Sequence, residues 1–318
     1  MAWSHGSRIL VSGASGMLGR ALVAQLRTPS AANGFRPQVL TLVRRAPRDA
    51  SEVWWQPQEG QIDLRALEGL DAVVHLAGEN IGSGEGPLAA LGRWSDRKRH
   101  AIVESRRRGT LLLARSLAVL RQRPRVLVSA SGVGFYGDGG EVALTEASPR
   151  GRGFLADVAD VWEASTAPAE EAGVRVARLR FGVILGRSGG VVEKLYWPFF
   201  LGGGGPVGSG RQWVSWVALP DAVRAVQFAI AHEGVSGAVN ACAPQPARNA
   251  DFMRALARAM GRPALVPMPE AAVRLLFGQM GEETLLASTR ALPAKLEAAG
   301  FAFEYPDVES AMVEALAR

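Results

Sequence analysis

The sequence predicts an α/β protein, a Rossmann-type doubly wound parallel sheet followed by a smaller α+β lobe, on three observations. Short aliphatic runs alternate with longer helical patterns through the N-terminal half, as βαβ units require. A glycine-spaced turn joins the first run to the first helical pattern. Near residue 186 the alternation stops and a glycine-rich stretch and further helices follow, which divides the chain into residues 1–186 and 187–318 with an interleaved boundary.

The elements follow in order. Ile9-Leu10-Val11 reads as the first strand, Met17 to Arg27 as its helix and Gln38 to Val43 as the second strand. Asp71 to Leu76 and Arg125 to Ala130 are later strands. Between them Ser95 to Leu120 forms a long charged helix, with Ile102, Leu112, Leu113 and Leu117 near helical spacing. Val174 to Leu179 is a further strand. Gly202 to Gly210 cannot be regular helix or a packed strand, so it is a mobile or tightly turning loop. An aromatic strand (Gln212 to Val217), a helix (Leu219 to His232), a short strand (Ala238 to Cys242) and amphipathic helices from Asn249 onward complete the chain.

Composition narrows the function. The 318 residues are 48% hydrophobic and 21% charged, an ordinary globular balance. No run approaches the roughly 18 apolar residues of a membrane span, and Met1 to Arg8 lacks a secretory pattern, so a cytoplasmic protein without a membrane partner is expected. One cysteine, Cys242, and four scattered histidines (His5, His75, His100, His232) give no metal-ligand spacing. The net charge of +6 is modest, and the basic residues are nearly all arginine, since the only lysines are Lys98, Lys194 and Lys295. Dispersed arginines among acidic residues, without an aromatic-basic motif, argue against nucleic acid as a partner. The only tyrosines are Tyr136, Tyr196 and Tyr305, and none has a lysine four residues on.

Gly13-Ala14-Ser15-Gly16-Met17-Leu18-Gly19 follows the first strand and opens the first helix. Its first glycine permits a tight turn, its second lets backbone approach a pyrophosphate, and its third lets helix and strand pack closely. The helix N-terminus then faces the phosphates. At the end of the second strand, where an NAD site places an acidic residue for the ribose hydroxyl, stand Arg44 and Arg45. Two guanidiniums suit a ribose 2′-phosphate, so NADP (as NADPH) is the expected cofactor.

With His75-Leu76-Ala77-Gly78, the glycine spacing resembles the extended short-chain dehydrogenase/reductases, which include sugar-nucleotide epimerases and dehydratases. Leu76 to Ile81, Arg93-Trp94, Ser105-Arg106, Trp162-Glu163, Arg180 to Gly186 and Trp197-Pro198-Phe199 are similar to one atypical branch, the cell-division-inhibitor-like NAD(P)-dependent epimerase-family proteins. Val266 to Pro269, Leu292-Pro293, Ala299-Gly300-Phe301 and Tyr305-Pro306 resemble that branch's small C-terminal domain. The resemblance implies cofactor contacts from the glycine loop (Gly13, Ser15, Gly16, Met17, Leu18, Gly19), from Arg44 and Arg45, from Leu76, Ala77 and Gly78, and from Arg106 and Ile184.

Active members of the broad family use a Ser or Thr, a tyrosinate and a lysine. Ser131 stands at the expected strand end. Counting back from Glu163 places Leu155 where the tyrosine belongs and Ala159 where the lysine belongs, and neither moves a proton. Tyr136, just past Ser131, is a candidate substitute, as is a neighbouring carboxylate such as Asp138 or Glu146, although without a cation beside it a pKa near 10 makes the tyrosine a poor base. His75 ends a buried strand and reads as a core histidine. Gln212, Trp213 and Trp216, after the glycine-rich loop, are candidate contacts to an unidentified small molecule, as is Ser215. Relatives often carry His-x-x-Asp just beyond, and here Ala218 precedes Asp221. Two functions remain: an NADP(H)-dependent oxidoreductase or epimerase with an unorthodox proton donor, or a dinucleotide-binding sensor without catalysis.

Overall fold

The computed structural model describes residues 6–29, 34, 36–83 and 92–317; His5 lies outside them. Strands are β1 (Arg8–Ser12), β2 (Gln38–Val43), β3 (Glu52–Gln56), β4 (Gln61–Ile62), β5 (Ala72–His75), β6 (Val126–Gly132), β7 (Ala143–Leu144), β8 (Arg175–Phe181), β9 (Val183–Leu185), β10 (Trp213–Val214), β11 (Trp216–Ala218), β12 (Gly237–Ala241), β13 (Ala247–Arg248) and β14 (Arg290–Ala291). An eight-stranded sheet runs β12-β8-β6-β5-β1-β2-β3-β4, parallel throughout except for the antiparallel edge strand β4. From β1 the chain builds outward first through β2 and β3, then the other way through β5. The gap beyond the carboxyl ends of β1 and β5 is therefore the topological switch point, where such sheets bind ligands.

The sheet is buried on both faces, which is why its strands read as unbroken aliphatic runs. Helices α1 (Met17–Arg27), α2 (Leu64–Leu67), α3 (Asp96–Ala118), α4 (Phe154–Ala164) and α5 (Ala167–Glu171) belong to the first half. Ile9 and Val11 face one core with Leu22 and Leu26 of α1, while Leu10 faces the other with Leu113 and Leu117 of α3. After α6 (Gly190–Phe200), helix α7 (Leu219–Ala231) packs beside α1, and β12 joins the main sheet. The second lobe has its own core of Phe199, Trp216, Phe252, Met253, Leu256 and Met312, built with α8 (Asn249–Ala259) and the helix Val308–Ala317. Buried Asp221 on α7 accepts the backbone N–H groups of Glu304 (3.0 Å) and Tyr305 (2.9 Å), tying the C-terminal segment to the sheet domain.

Two expectations need correction. Strand β3 was not anticipated: it joins β2 in parallel register across the short link Arg44 to Ser51, with no crossover helix to announce it. The aromatic segment Gln212 to Val217 is also not one strand. It breaks at Ser215, whose hydroxyl donates to Thr289 O and accepts from Ala291 N, both at 2.8 Å. β10 then pairs antiparallel with β13, and β11 pairs in parallel with β9. The glycine-rich loop turns tightly against its neighbours: a Cβ on Gly204 would lie 2.4 Å from Phe199, and one on Gly205 would lie 2.2 Å from the Val266 carbonyl oxygen.

Candidate functional site

A cleft of about 920 Å³ opens at the switch point, lined by Gly13, Ser15 and Gly16, by Arg44 and Arg45, and by Leu76, Ala77 and Gly78. Its size is that of a cofactor site. Gly13 has φ +69°, and a Cβ there would sit 2.7 Å from the Leu76 carbonyl carbon, so only glycine lets the end of β5 come this close. A Cβ on Gly19 would lie 2.1 Å from Gly13 O. Gly16, by contrast, meets only Gly13 O at 3.4 Å, leaving open space in which a phosphate can approach the backbone. Helix α1 starts there with no side-chain cap and no acidic residue in its first turn, so its N–H groups are available to an anion. Ser12 joins the two strand ends, its Oγ accepting from Leu76 N (3.1 Å) and Ala77 N (3.3 Å) and hydrogen-bonding His75 Nδ1 (2.7 Å). His75 Nε2 meets Thr110 Oγ1 at 3.0 Å, and complete burial pushes its pKa down to about 4. It is a neutral core histidine.

The two arginines at the end of β2 differ. Arg45 is committed to Glu52, at 2.7 Å through Nη1 and 2.5 Å through Nη2, and this pairing holds the Glu52 carboxyl down at about 2. Arg44 is exposed and makes no hydrogen bond or ion pair with any described residue. Of the two arginines expected at a 2′-phosphate, Arg44 is open to it, whereas Arg45 would have to release Glu52. Within the glycine loop, Met17 turns its sulfur toward Gly186 and Gly189, Leu18 is buried in the core beneath, and Ile184 packs against that core.

Next to the cleft lies a second pocket of about 240 Å³, lined by Arg106, whose guanidinium packs against Gly78 of the cleft wall, 3.3 Å from where a Cβ there would sit. Arg106 is 9% exposed; Nη1 donates to Glu79 O (3.0 Å) and Ile102 O (3.2 Å), and its guanidinium lies 4.7 Å from the Trp162 ring. Burial lowers its pKa to about 10, which leaves it cationic at neutral pH. The pocket walls are Leu155, Val158, Ala159 and Trp162 of α4, with Phe181, Val183 and Trp213. Leu155 and Ala159 do face the space where proton chemistry was sought, and it is apolar. Trp162 Nε1 is buried without a hydrogen-bond partner. Trp213 is fixed by Arg248 and Arg290 against its ring and donates Nε1 to Glu141 at 3.0 Å.

Below this pocket lies a buried polar network that holds both Ser131, the expected serine of the site, and Tyr136, the candidate proton donor. Ser131 Oγ donates to Glu163 Oε1 (2.7 Å), and Arg180 grips the same carboxylate through Nε (2.7 Å) and Nη2 (2.8 Å). Tyr136 is 2% exposed; its hydroxyl donates to Asn240 Oδ1 (2.7 Å) and accepts from Arg180 Nη1 (2.9 Å). Burial raises the Tyr136 pKa above its ordinary value. Neither hydroxyl lines the pocket, so both serve to join β6, α4, β8 and β12. Gln212 and Trp216 likewise do not line this pocket. Gln212 Nε2 donates to Val207 O (2.9 Å) and Leu285 O (2.8 Å), and fully buried Trp216 donates to Gln245 O (3.1 Å). Of the three, Trp213 alone lines the pocket.

Sequence reading missed Glu283, Thr284 and Thr289, which the C-terminal lobe contributes to the pocket. Glu283 accepts from Phe154 N (3.0 Å) and Leu155 N (2.8 Å), capping α4 from another part of the chain. The signal was indirect: α4 begins at Gly153, which has no side chain to cap it. Among the described residues, no group of three or more His, Cys, Asp or Glu could hold a metal, and no helix is long and apolar enough to cross a membrane.

A parallel sheet with a glycine cradle at its switch point defines a dinucleotide-binding α/β protein of the extended short-chain dehydrogenase/reductase type. Residues 9–242 match the NAD dependent epimerase/dehydratase family, and the chain belongs to it. Residues 268–315 match a domain of unknown function, DUF1731. The chain is 40% identical over 310 residues to the epimerase family protein Mb2239 of Mycobacterium bovis, covering 98% of each. It is 33% identical to the human epimerase family protein SDR39U1, covering 98% of this chain and 100% of that one. The crystal structure of human SDR39U1 (isoform 2) with NADPH superposes with a TM-score of 0.86 at 31% identity, covering 98% of this chain and 99% of that one. A nucleoside-diphosphate sugar epimerase from Corynebacterium glutamicum gives 0.77 at 35% identity, over 98% of this chain and 58% of that one.

Proposed function

We propose that this protein binds NADP(H) in the switch-point cleft and passes hydride between it and a small molecule in the adjoining apolar pocket. The observation that carries the reading is the adjacency of the two walls: Gly78 of the cleft lies against the guanidinium of Arg106, which lines the apolar pocket together with Leu155 and Ala159. The bare start of α1 and Gly16 would hold the pyrophosphate, Arg44 the 2′-phosphate, and Leu76 to Gly78 the ribose side of the cleft. The human relative crystallised with NADPH supports the same cofactor. When bound, NADPH supplies the hydride.

The chain's own residues would orient the reactants and exclude water. Arg106 would place a fixed positive charge beside the reacting atoms, worth more in a water-poor pocket than in solvent. Classical epimerisation removes a hydroxyl proton, and the apolar wall holds no base for it. Among the described residues Glu283 is the one carboxylate that lines this pocket, and it is occupied by two backbone amides and by Gln279 Nε2 at 2.7 Å. The reading therefore favours reduction over epimerisation. A sensor that binds NADP(H) without turnover is the second reading, favoured by the loss of the Tyr-x-x-x-Lys pair. The proposal includes a cytoplasmic location, consistent with the free, buried thiol of Cys242.

The test is calorimetric titration with NADPH and NADH, followed by a screen for NADPH oxidation with carbonyl, quinone and enone acceptors. Preference for NADPH together with turnover supports the enzyme. Tight binding with no turnover on any acceptor leaves the sensor, and equal affinity for both cofactors removes the 2′-phosphate assignment.

A further inference from the structure

The apolar pocket does not end at Leu155. Gly134, Leu155, Glu283, Ala287 and Thr289 also line a second cavity of about 480 Å³, so the two form one entrance. The charged residues of this outer cavity are Asp138, Glu270, Glu282 and Glu283 against Arg152 and Arg274. Arg274 is itself shared between Glu270 (3.7 Å) and Glu282 (3.4 Å). The mouth therefore carries a net negative charge, which repels phosphates. Inside stand apolar walls, the fixed plate of Trp213 and the buried cation Arg106, and among the described residues no side chain free to give or take a proton.

We propose that the acceptor is a neutral, planar, conjugated ring, of quinone or isoalloxazine type, rather than a nucleotide sugar or any phosphorylated ligand. This rests on the hydride-transfer reading above. The chemistry follows from what the pocket lacks. Reducing a simple ketone yields an alkoxide that needs a proton from the protein at once. A quinone accepts one hydrogen with its electron pair from the reduced nicotinamide, which is left oxidised. The product is a hydroquinone monoanion whose charge is spread over the ring, so water at the open mouth can supply the last proton. Arg106 stabilises that anion until then. Apolar walls that include the rings of Trp162, Phe181 and Trp213 suit a conjugated ring, and the acidic mouth excludes ligands bearing phosphate.

The experiment measures binding separately from turnover. The NADP⁺-loaded protein is titrated calorimetrically with 2-methyl-1,4-naphthoquinone, riboflavin, FMN and UDP-glucose, and NADPH oxidation is then followed with each. Binding of the quinone or of riboflavin at least tenfold tighter than FMN and UDP-glucose, with reduction of the same ring, supports the inference and says which ring is used. Leu155→Arg should remove ring binding while NADPH affinity stays. Glu270→Arg with Glu282→Arg, both outside the reacting space, should raise FMN affinity at least several-fold. Preference for FMN or UDP-glucose overturns the inference, as does a mouth variant with unchanged FMN affinity. If NADPH binds and neither ring does, the acceptor class falls and the cofactor reading stands. If NADPH itself does not bind, the underlying reading falls.

Discussion

The cleft at the β1–β5 switch point and the pocket over α4 lie side by side, Gly78 of one against Arg106 of the other, yet they are built from different material. The cleft is made of backbone: three glycines, an uncapped helix start and two strand ends joined by Ser12. The pocket is made of side chains, and those at the expected catalytic positions are Leu155 and Ala159. A backbone site tolerates little change, because almost any Cβ at Gly13 or Gly19 collides with main-chain atoms. A side-chain site can lose its chemistry without disturbing the fold. The two spaces can thus be perturbed separately, and the comparison can be broken at either end.

The largest effect is expected beneath the pocket. Glu163→Ala leaves Arg180, 4% exposed, without its carboxylate, and losing one partner of a buried pair costs about 3–5 kcal/mol. Urea unfolding of the variant should show that loss, while NADPH affinity of the folded protein stays within a few-fold of wild type. Equal losses of stability and of cofactor affinity would mean that network and cleft are not independent.

Next comes the pH dependence of stability that His75 imposes from the cleft side. Its folded pKa, about 4, lies below the ordinary 6.5, so the unfolded chain binds a proton first as pH falls. Stability is full above about pH 6.5 and falls through the window down to about 4, by about 3 kcal/mol. Glu52 and Glu104, held near 2 from an ordinary 4.5, act mainly below that window. Unfolding free energies measured across it should slope upward with pH, and His75→Gln should flatten the slope. A slope unchanged in the variant would remove His75 as its source.

How legible these two regions were in the sequence follows the same division. The glycine turn, the strand ends and the long helix were readable because backbone constraints leave residue types at fixed spacing. Leu155 and Ala159 were placed by counting from Glu163, and both line the pocket. The fate of hydroxyls was not readable. Ser131 and Tyr136 sit at the right places in the chain, but their direction depends on Glu163, Arg180 and Asn240, which arrive from α4, β8 and β12. Glu283 was hidden for the same reason, being brought to α4 from far along the chain. Strand β3 escaped because the short link before it contains no helix.

The smallest effects lie at the end of β2, and there the comparison becomes sharpest. Arg44 has no described partner, so its guanidinium is available to a 2′-phosphate. Arg44→Ala should weaken NADPH binding about tenfold or more, since one charge-assisted contact of about 1.5–3 kcal/mol is lost. NADH affinity should not change. Arg45 already holds Glu52 through two contacts, and binding a phosphate would require it to abandon them. Arg45→Ala should therefore weaken NADPH binding less than Arg44→Ala does, and part of that loss should come from the freed Glu52 carboxylate, which also lines the cleft and would repel the phosphate. Arg45→Ala with Glu52→Gln separates the two causes. If the double variant recovers most of the affinity, Arg45 acts by neutralising Glu52; if it does not, Arg45 leaves its partner and grips the cofactor directly.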